Sequence, residues 1–409
     1  MLYKNIISVE NIKKAYLTIT LKFEEQLKMS NYSGFDGLTL PDYNYHSLDM
    51  VYQIRDELVN LKEIDPAIKM LIPKNNKPGK RTIFIHSVKE RIKAQAIYQV
   101  IEPILDSYLS NFLFSYRSSH PHYKAASSVA KRYRKNYRDD YILVGDISDY
   151  CDNIDKGILM KKIIDVGFGE KTNNLIKLFI NNSYIEDGDK KVLDKGLVHG
   201  QPLISIFYNI YVDDIDKAIG KKVSLYRRVG DDFILMDKNK NKIDEQREFL
   251  VNKLIEYNIP KEKQKIAVFK STEAFNFLGY MFNNGVISLS KRSEKKIKNR
   301  WEKRLKYYPT NILRKTKKLK AQVLKTNPFP YEFLEIIKNY SQLNDLNQIK
   351  KLSDYFFRKL TVYYFGTYSS RNHRLTRELT KKIAIPSIYK YYIDIHTGRK
   401  KALEIKKGI

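Results

Sequence analysis

The chain has 409 residues, 43% of them apolar, enough for one large core or two to three domains. Its 75 Lys and Arg against 46 Asp and Glu leave a formal net charge of +29, which points to a polyanionic partner, nucleic acid before others. AT-rich codon bias would also enrich Lys, Asn, Ile and Tyr, but it does not account for the shortage of acid. With one cysteine, Cys151, no disulfide framework and no cysteine zinc site are expected. The histidines show no metal-ligand spacing; His120 and His122 are close, but nothing else joins them. The opening MLYKNIISVENIKK carries early lysines and an acid, so no signal peptide is expected. No run of about eighteen apolar residues suggests a membrane span. The expectation is a soluble, cytoplasmic, basic protein with no membrane partner.

In chain order, the first part to about residue 140 reads mostly helical. SGFDGLTL (33–40) is a turn, and KNNKPGKRTIFIHS (74–87) is a basic loop entering a short strand. VKERIKAQAIYQVIEPILDSYL (88–109) repeats apolar residues at helical spacing: Ile92, Ala96, Ile97, Val100, Ile101, Ile104. YILVGD (141–146) is a strand that ends in an acid. KTNNLIKLFINNSY (171–184) and ISIFYNIYVDDIDKAI (204–219) read as helices. VSLYRRV and FILMD are short strands around Gly230-Asp231-Asp232. A boundary falls near 288; beyond it, residues 291–320 are densely basic and 330–368 helical and aromatic.

The acids carry the chemistry. Carboxylates are costly to desolvate, so Asp231-Asp232 beside Phe233-Ile234-Leu235-Met236 needs a reason. Gly230-Asp231-Asp232 between apolar strands reads as a tight hairpin with both acids at its tip, although Gly-Asp is also common in ordinary turns. Asp146 also stands at the end of an apolar strand. If the two strand ends are neighbours in one sheet, Asp146 and Asp231 converge on an oxygen-rich site for Mg²⁺. Two such ions roughly 3.5–4 Å apart can activate a 3′-hydroxyl and hold a leaving pyrophosphate.

Eight segments then match, in order, a known pattern: SGFDGLT, GKRTIFIHSVKERIKAQAIYQVIEPI, FSYRSSHPHYKA (114–125), DISDYCDNI (146–154), GLVHGQPLISIFYNIYVDDID (196–216), VGDDF (229–233), EKQKI (262–266) and FNFLGYMF (275–282). On these residues, over roughly 31–290, the chain resembles bacterial reverse transcriptases related to group II intron enzymes. It is most like the defence-associated and abortive-infection group. The resemblance implies an α+β right-hand polymerase. Fingers would span 1–140 with the basic loop 74–81, and a palm with an antiparallel sheet 141–288. A helical, basic thumb or RNA-binding domain would follow at 289–409.

Carried over residue by residue, Asp146, Asp231 and Asp232 would hold two Mg²⁺ ions, with Mn²⁺ as an alternative and the backbone carbonyl of Ile147 as a further ligand. Lys263 stands where the family places a general acid for pyrophosphate, though a solvated surface lysine reads as well. Arg81, Arg117, Lys74 and Lys80 are the triphosphate candidates, against a solvated basic loop for the two lysines. Tyr150, Cys151, His199 and Gly200 complete the substrate set, His199 as a packing or template-contacting residue rather than a catalytic base.

Three departures from the family's pattern stand out. Val229 replaces the aromatic before Gly-Asp-Asp, and His199 replaces a Gln before Gly200 while Ile204-Ser205 replaces Ser-Pro. Cys151 replaces the aromatic that blocks a ribose 2′-hydroxyl; Tyr150 or a shifted backbone is expected to restore that gate. In the tail, Trp301, Tyr307 and Tyr308 interleave with cations, and 363–379 combines Arg and Tyr; both suit base stacking, or for the tyrosines core packing. The resulting expectation is Mg²⁺-dependent reverse transcription of an RNA template, with dNTPs as substrates and nascent DNA as product. A cognate noncoding RNA, a role in antiphage defence, and a homo-oligomer or a partner protein from the same defence locus follow from the resemblance alone. The alternatives are an RNA-dependent RNA polymerase, an untemplated or protein-primed polymerase, and an inactive RNA-binding protein on this fold.

Overall fold

The structure, a computed structural model, describes residues 1–27, 33–73, 79–307, 339–382 and 387–396. It is α+β, and it divides into two units: Met1–His122 with Gly145–Ala267, and Tyr123–Val144 with Val268–Ile409. The strands are β1 (Ala67–Pro73), β2 (Lys80–Ile85), β3 (Tyr141–Ile147), β4 (Ser183–Glu186), β5 (Asp189–Val192), β6 (Leu225–Val229), β7 (Asp232–Asp237), β8 (Gln264–Lys270), β9 (Phe275–Phe277), β10 (Tyr280–Asn283) and β11 (Val286–Leu289). Among the described residues they form sheets ordered β2-β1-β4-β5, β6-β7-β3-β8 and β9-β10-β11. No described helix is long and apolar enough to cross a membrane.

In the first unit, helix Val88–Tyr108 is the spine. Ser87 caps it, its hydroxyl accepting from the Glu90 N–H at 3.4 Å, and Ile92, Ala96, Ile97, Ile101 and Leu105 bury its apolar face as their spacing predicts. Helix Val9–Leu27 lies along it: the Asn11 side-chain amide donates to the Ala96 carbonyl at 3.0 Å, and Gln99 donates back to the Asn11 carbonyl at 2.9 Å. The start of helix Val88–Tyr108 carries a buried ion cluster. Lys93 bonds Glu90 at 2.9 Å and also Glu57, while Lys89 bonds Glu57 at 3.2 Å and Asp65 at 3.0 Å. Burial alone would raise the Glu57 carboxyl, but the two lysines outweigh it and hold it at about 2. Burial dominates at Glu90 and pushes it up to about 7. The cluster fixes where the helix begins, and so where Arg91 stands. The Arg91 Nη1 donates to the Gly200 carbonyl at 2.9 Å.

Two expectations on this unit need correction. The helix expected over 171–184 spans Glu170–Ile180, and Ser183–Glu186 becomes β4, parallel to β1 through Ala67↔Tyr184 and Ile68↔Ile185. Ser183 and Tyr184, at the end of that helical-looking stretch, thus belong to a sheet, because β1 offers the backbone there a partner. The helix expected over 204–219 breaks at Val212 (φ −123°) into Ile204–Tyr211 and Asp213–Gly220. The break coincides with Asp213 accepting the Ser110 N–H at 2.7 Å, a contact outside the helix.

In the second unit, FNFLGYMF forms the expected hairpin, β9 and β10 pairing through Tyr280↔Phe277 and Phe282↔Phe275. Phe275 and Phe282 stack with centroids 4.8 Å apart, and Tyr133 packs edge-on against both. Helix Lys291–Tyr307 buries Ser293, Ile297 and Trp301 on one face and exposes Lys291, Arg292, Lys295, Lys296, Arg300 and Lys303. Trp301 is therefore a core residue, its ring 4.8 Å from Phe356, and not a base-stacking one. Tyr308 and residues 309–338 lie outside the described residues, as does the Tyr307 side chain.

Phe233 sits in the sheet directly against Gly145: a Cβ on Gly145 would lie 2.0 Å from the Phe233 ring. Gly145→Ala should therefore cost about 1–3 kcal/mol, as over-packing does. A urea or thermal melt checks it, and an unchanged midpoint would contradict the pairing of β3 with β7.

Candidate active site

β6 and β7 pair from Leu225↔Met236 to Val229↔Asp232, which leaves Gly230 and Asp231 as a two-residue turn. Gly230 has φ +65°, a conformation natural to glycine in such turns. Asp231 thus stands at the tip, while Asp232 opens β7 rather than sharing the tip. The turn is pinned from beneath by Arg228. Its Nη1 donates to the Gly230 carbonyl at 2.9 Å, its Nη2 to the Asn209 carbonyl at 3.0 Å, and its Nε and Nη2 grip Asp216 at 2.7–2.9 Å. Tyr226 donates its hydroxyl to the same carboxylate at 2.6 Å. Both members of the ion pair are fully buried. Burial opposes the Arg228 charge, but Asp216 outweighs it, and the guanidinium holds its proton above its ordinary range.

β3 brings the other acid. The Ile147 N–H donates to the Asp231 carbonyl at 3.3 Å, and the Asp146 and Asp231 carboxyls meet. Asp231 is open to solvent, yet enough protein surrounds it that burial, first, and then Asp146 raise its proton affinity. A hydrogen bond between two carboxyls needs a shared proton, and a divalent cation can take that proton's place. The donor set is all oxygen, which fits a hard cation such as Mg²⁺. Asp146 and Asp231 would hold it, beside the Ile147 backbone. Asp232 does not close into one group with them: the three carboxylates do not gather within 4.8 Å of one another. The Lys265 ammonium lies 3.7 Å from Asp146.

The remaining expected residues fall into three groups. Lys263 is partly exposed and paired with Asp149 at 2.9 Å, which raises its proton affinity and makes it a weaker acid; its side chain belongs to that surface pair. Lys80 and Arg81 are exposed on β2, opposite Pro73 and Ile72. Lys74 lies outside the described residues. His199 packs edge-on against Phe84 at 5.0 Å, and the Gly200 carbonyl serves Arg91, as a packing role requires.

Two assignments are corrected. Arg117 is not a triphosphate ligand: it is buried, with Nε on Asp106 at 2.6 Å, Nη1 on the Ser110 carbonyl at 2.6 Å and Nη2 on the Asp106 carbonyl at 2.6 Å. Its donors are committed to the protein. Tyr150 is not a sugar gate: it is buried, and its hydroxyl donates to the Tyr208 carbonyl at 2.9 Å. Cys151 also turns inward, its thiol donating to the Leu197 carbonyl at 3.5 Å.

The aromatic that does face the acids is Tyr116, which is 58% exposed and interacts electrostatically with both Asp231 and Cys151. It arrives there because the preceding segment pairs with the edge of β6: Phe114 N–H donates to the Arg228 carbonyl at 2.8 Å and Arg228 N–H to Phe112 at 3.0 Å. Tyr116 has φ +54°, a conformation uncommon for a side-chain-bearing residue. With His122, Gly230 and Asp231 it lines a cavity of about 470 Å³, within the range of small-ligand sites. Sequence reasoning missed Tyr116, Lys265, Arg91 and the Arg228–Asp216 pair. Alternation offered one signal: Tyr226 and Arg228 share a strand face, so one buried side implied a buried arginine in need of an acid.

The family described as reverse transcriptase (RNA-dependent DNA polymerase) matches residues 72–282, more than half of the 409. Among solved structures, telomerase from Candida albicans in complex with a TWJ fragment of telomeric RNA is 16% identical, with 89% of this chain and 68% of that one covered at a TM-score of 0.44. Apo telomerase from Candida tropicalis, truncated from its C-terminal domain, is 16% identical, with 62% and 61% covered at 0.42. No curated protein matches the sequence.

Arg228→Leu alone should destabilise the protein by about 3–5 kcal/mol, because Asp216 is left buried and unpaired. Adding Asp216→Leu should restore much of that stability. It should not restore function, since the Gly230 carbonyl still lacks its donor. Denaturant melts of the two variants, beside nucleotide incorporation, check both halves.

Proposed function

The chain belongs to the reverse transcriptase family, and from that premise we propose that it is an RNA-directed DNA polymerase whose chemistry centres on Asp146 and Asp231. The observation that carries this reading is the meeting of those two carboxyls from distant parts of the chain. When bound, Mg²⁺ would activate the primer 3′-hydroxyl and neutralise charge on the leaving pyrophosphate. The protein's own groups do the rest. Arg228 holds the turn so that Asp231 keeps its place, and Ile147 N–H ties that turn to β3. Lys265 partly offsets the charge of Asp146. Exposed Arg81 and Lys80 on β2 suit the triphosphate, Arg81 with the planar fork that matches phosphate oxygens.

The reading extends to the whole chain as fingers to 140, palm over 141–288 and thumb beyond. The cationic face of helix Lys291–Tyr307 supports contact with a nucleic-acid backbone, an affinity that falls steeply with salt. A cognate noncoding RNA as template and a role in antiphage defence in the cytoplasm rest on motif resemblance alone. Discrimination against ribonucleotides falls to Tyr116, because Tyr150 and Cys151 both turn into the protein.

Asp231→Asn should lower incorporation of dNTPs on a primed RNA template by about 10³-fold or more, the scale of a charge-stabilising group. RNA binding should persist. A wild-type protein that binds RNA but incorporates no nucleotide with Mg²⁺ or Mn²⁺ would favour the inactive RNA-binding reading. Tyr116→Ala should reduce the preference for dNTPs over rNTPs about tenfold, measured as a ratio of kcat/KM values. If the wild type prefers rNTPs outright, the RNA-polymerase reading takes its place.

A further inference from the structure

Two of the departures from the family's pattern, Cys151 and His199, stand side by side in the structure. Among the described residues, Cys151, Asp152 and His199 are the one trio of Cys, His, Asp or Glu whose ligand atoms all lie within 4.8 Å of one another. Each departure, taken singly, is a loss: a steric gate in one case, an amide in the other. Together they introduce a thiol and an imidazole next to an acid. That is a donor set for a borderline-soft cation, not for Mg²⁺.

The backbone around the trio is already paired. Leu197 N–H donates to the Cys151 carbonyl at 3.2 Å, and Gly196 N–H to the Ile154 carbonyl at 2.8 Å. Gly196 lies so close to the other segment that a Cβ there would be 2.8 Å from the Asp152 carbonyl oxygen. His199 is held by its ring contact with Phe84, and its Nδ1 is buried without a well-aligned hydrogen bond, although the ring lies near the Thr82 and Leu197 backbone. A buried ring nitrogen left in that state is costly unless something binds it.

We propose that Cys151, Asp152 and His199 form a Zn²⁺ site, separate from the Asp146–Asp231 pair. Zn²⁺ takes ligands at about 2.0–2.3 Å, which sets donor pairs about 3–4 Å apart, so side-chain rotation within the 4.8 Å cluster closes the site. Three protein ligands leave a fourth position for water. Binding releases the Cys151 proton to solvent and leaves a thiolate on the metal, with imidazole neutral and carboxylate ionised. The ion would staple residues 151–152 to residues 196–199, beside Tyr116. The cysteine count argued against such a site; it needs only one cysteine when the other ligands come from elsewhere.

The test reads metal, not polymerisation, and so stands apart from the proposed function. Full-length protein made without a histidine tag is stripped with chelator and titrated with Zn²⁺ against a chromophoric competitor, in excess Mg²⁺. Co²⁺ is added in parallel. The expected result is a single tight Zn²⁺ and a thiolate-to-cobalt charge-transfer band. Cys151→Ser should abolish the band, and His199→Gln should weaken Zn²⁺ by about tenfold or more. Asp231→Asn should keep both band and affinity, and circular dichroism shows that each variant is folded. A wild type with no Zn²⁺ uptake and no band overturns the site. So does unchanged affinity in Cys151→Ser or His199→Gln, or loss of binding in a folded Asp231→Asn.

Discussion

The site depends on holding two like charges together. Asp146 and Asp231 repel, and neither sequence neighbour nor solvent would keep them adjacent; the fold must do so. Arg228 is how it does. Sunk beneath the turn, the guanidinium donates to Gly230 above and to Asp216 and Asn209 below, so the turn is tied to the helix Asp213–Gly220. A buried ion pair contributes little net stability, since desolvation consumes most of its Coulombic gain. Its worth here lies in position. Arg228 also lies close enough to Asp231 to favour its ionised form, against burial and Asp146. A cation placed between the acids completes what that arginine begins.

The same arginine sets the wall of the cavity. Its backbone pairs with Phe112 and Phe114, so the strand that carries the acid also carries the edge on which residues 112–117 are laid. A change in the hairpin would therefore reach Tyr116 without touching it. Elsewhere in the same unit, Arg91 ties the start of helix Val88–Tyr108 to the Gly200 carbonyl, and Glu57, Lys89, Glu90 and Lys93 form a buried ion cluster at that start.

What was legible in the sequence is what depends on local pattern. Asp146 and Asp231 stand at the ends of apolar runs, so strand-end position and turn chemistry single them out. Helix Val88–Tyr108 and the hairpin of Phe275–Phe277 with Tyr280–Asn283 were equally plain. The misreadings share a different cause. β4 is a strand because β1 lies beside it, and no periodicity in its four residues announces that. Trp301 reads as a stacking aromatic among lysines, but its spacing from Ser293 and Ile297 turns it to the core. Arg117 looked like a phosphate ligand because its partner, Asp106, is eleven residues away and invisible to a local motif. Tertiary partners decide what long polar side chains do, and those partners are the least visible feature of a linear sequence.

Arg117 shows how such a misreading can be turned to use. Tyr116 is held at φ +54°, which costs a side-chain-bearing residue about 1–2 kcal/mol, and such strain persists only where the surroundings over-determine it. The surroundings are the two neighbours. Phe114 is hydrogen-bonded to β6, and Arg117 is bolted to Asp106, Ser110 and Leu113. Between those two fixed points lie Ser115, bonded to Asn209, and Tyr116, whose side chain is turned out toward Asp231. The arginine of this segment therefore need not touch a nucleotide to matter. It is a clamp, and what it clamps is an exposed tyrosine lining the cavity beside the acids.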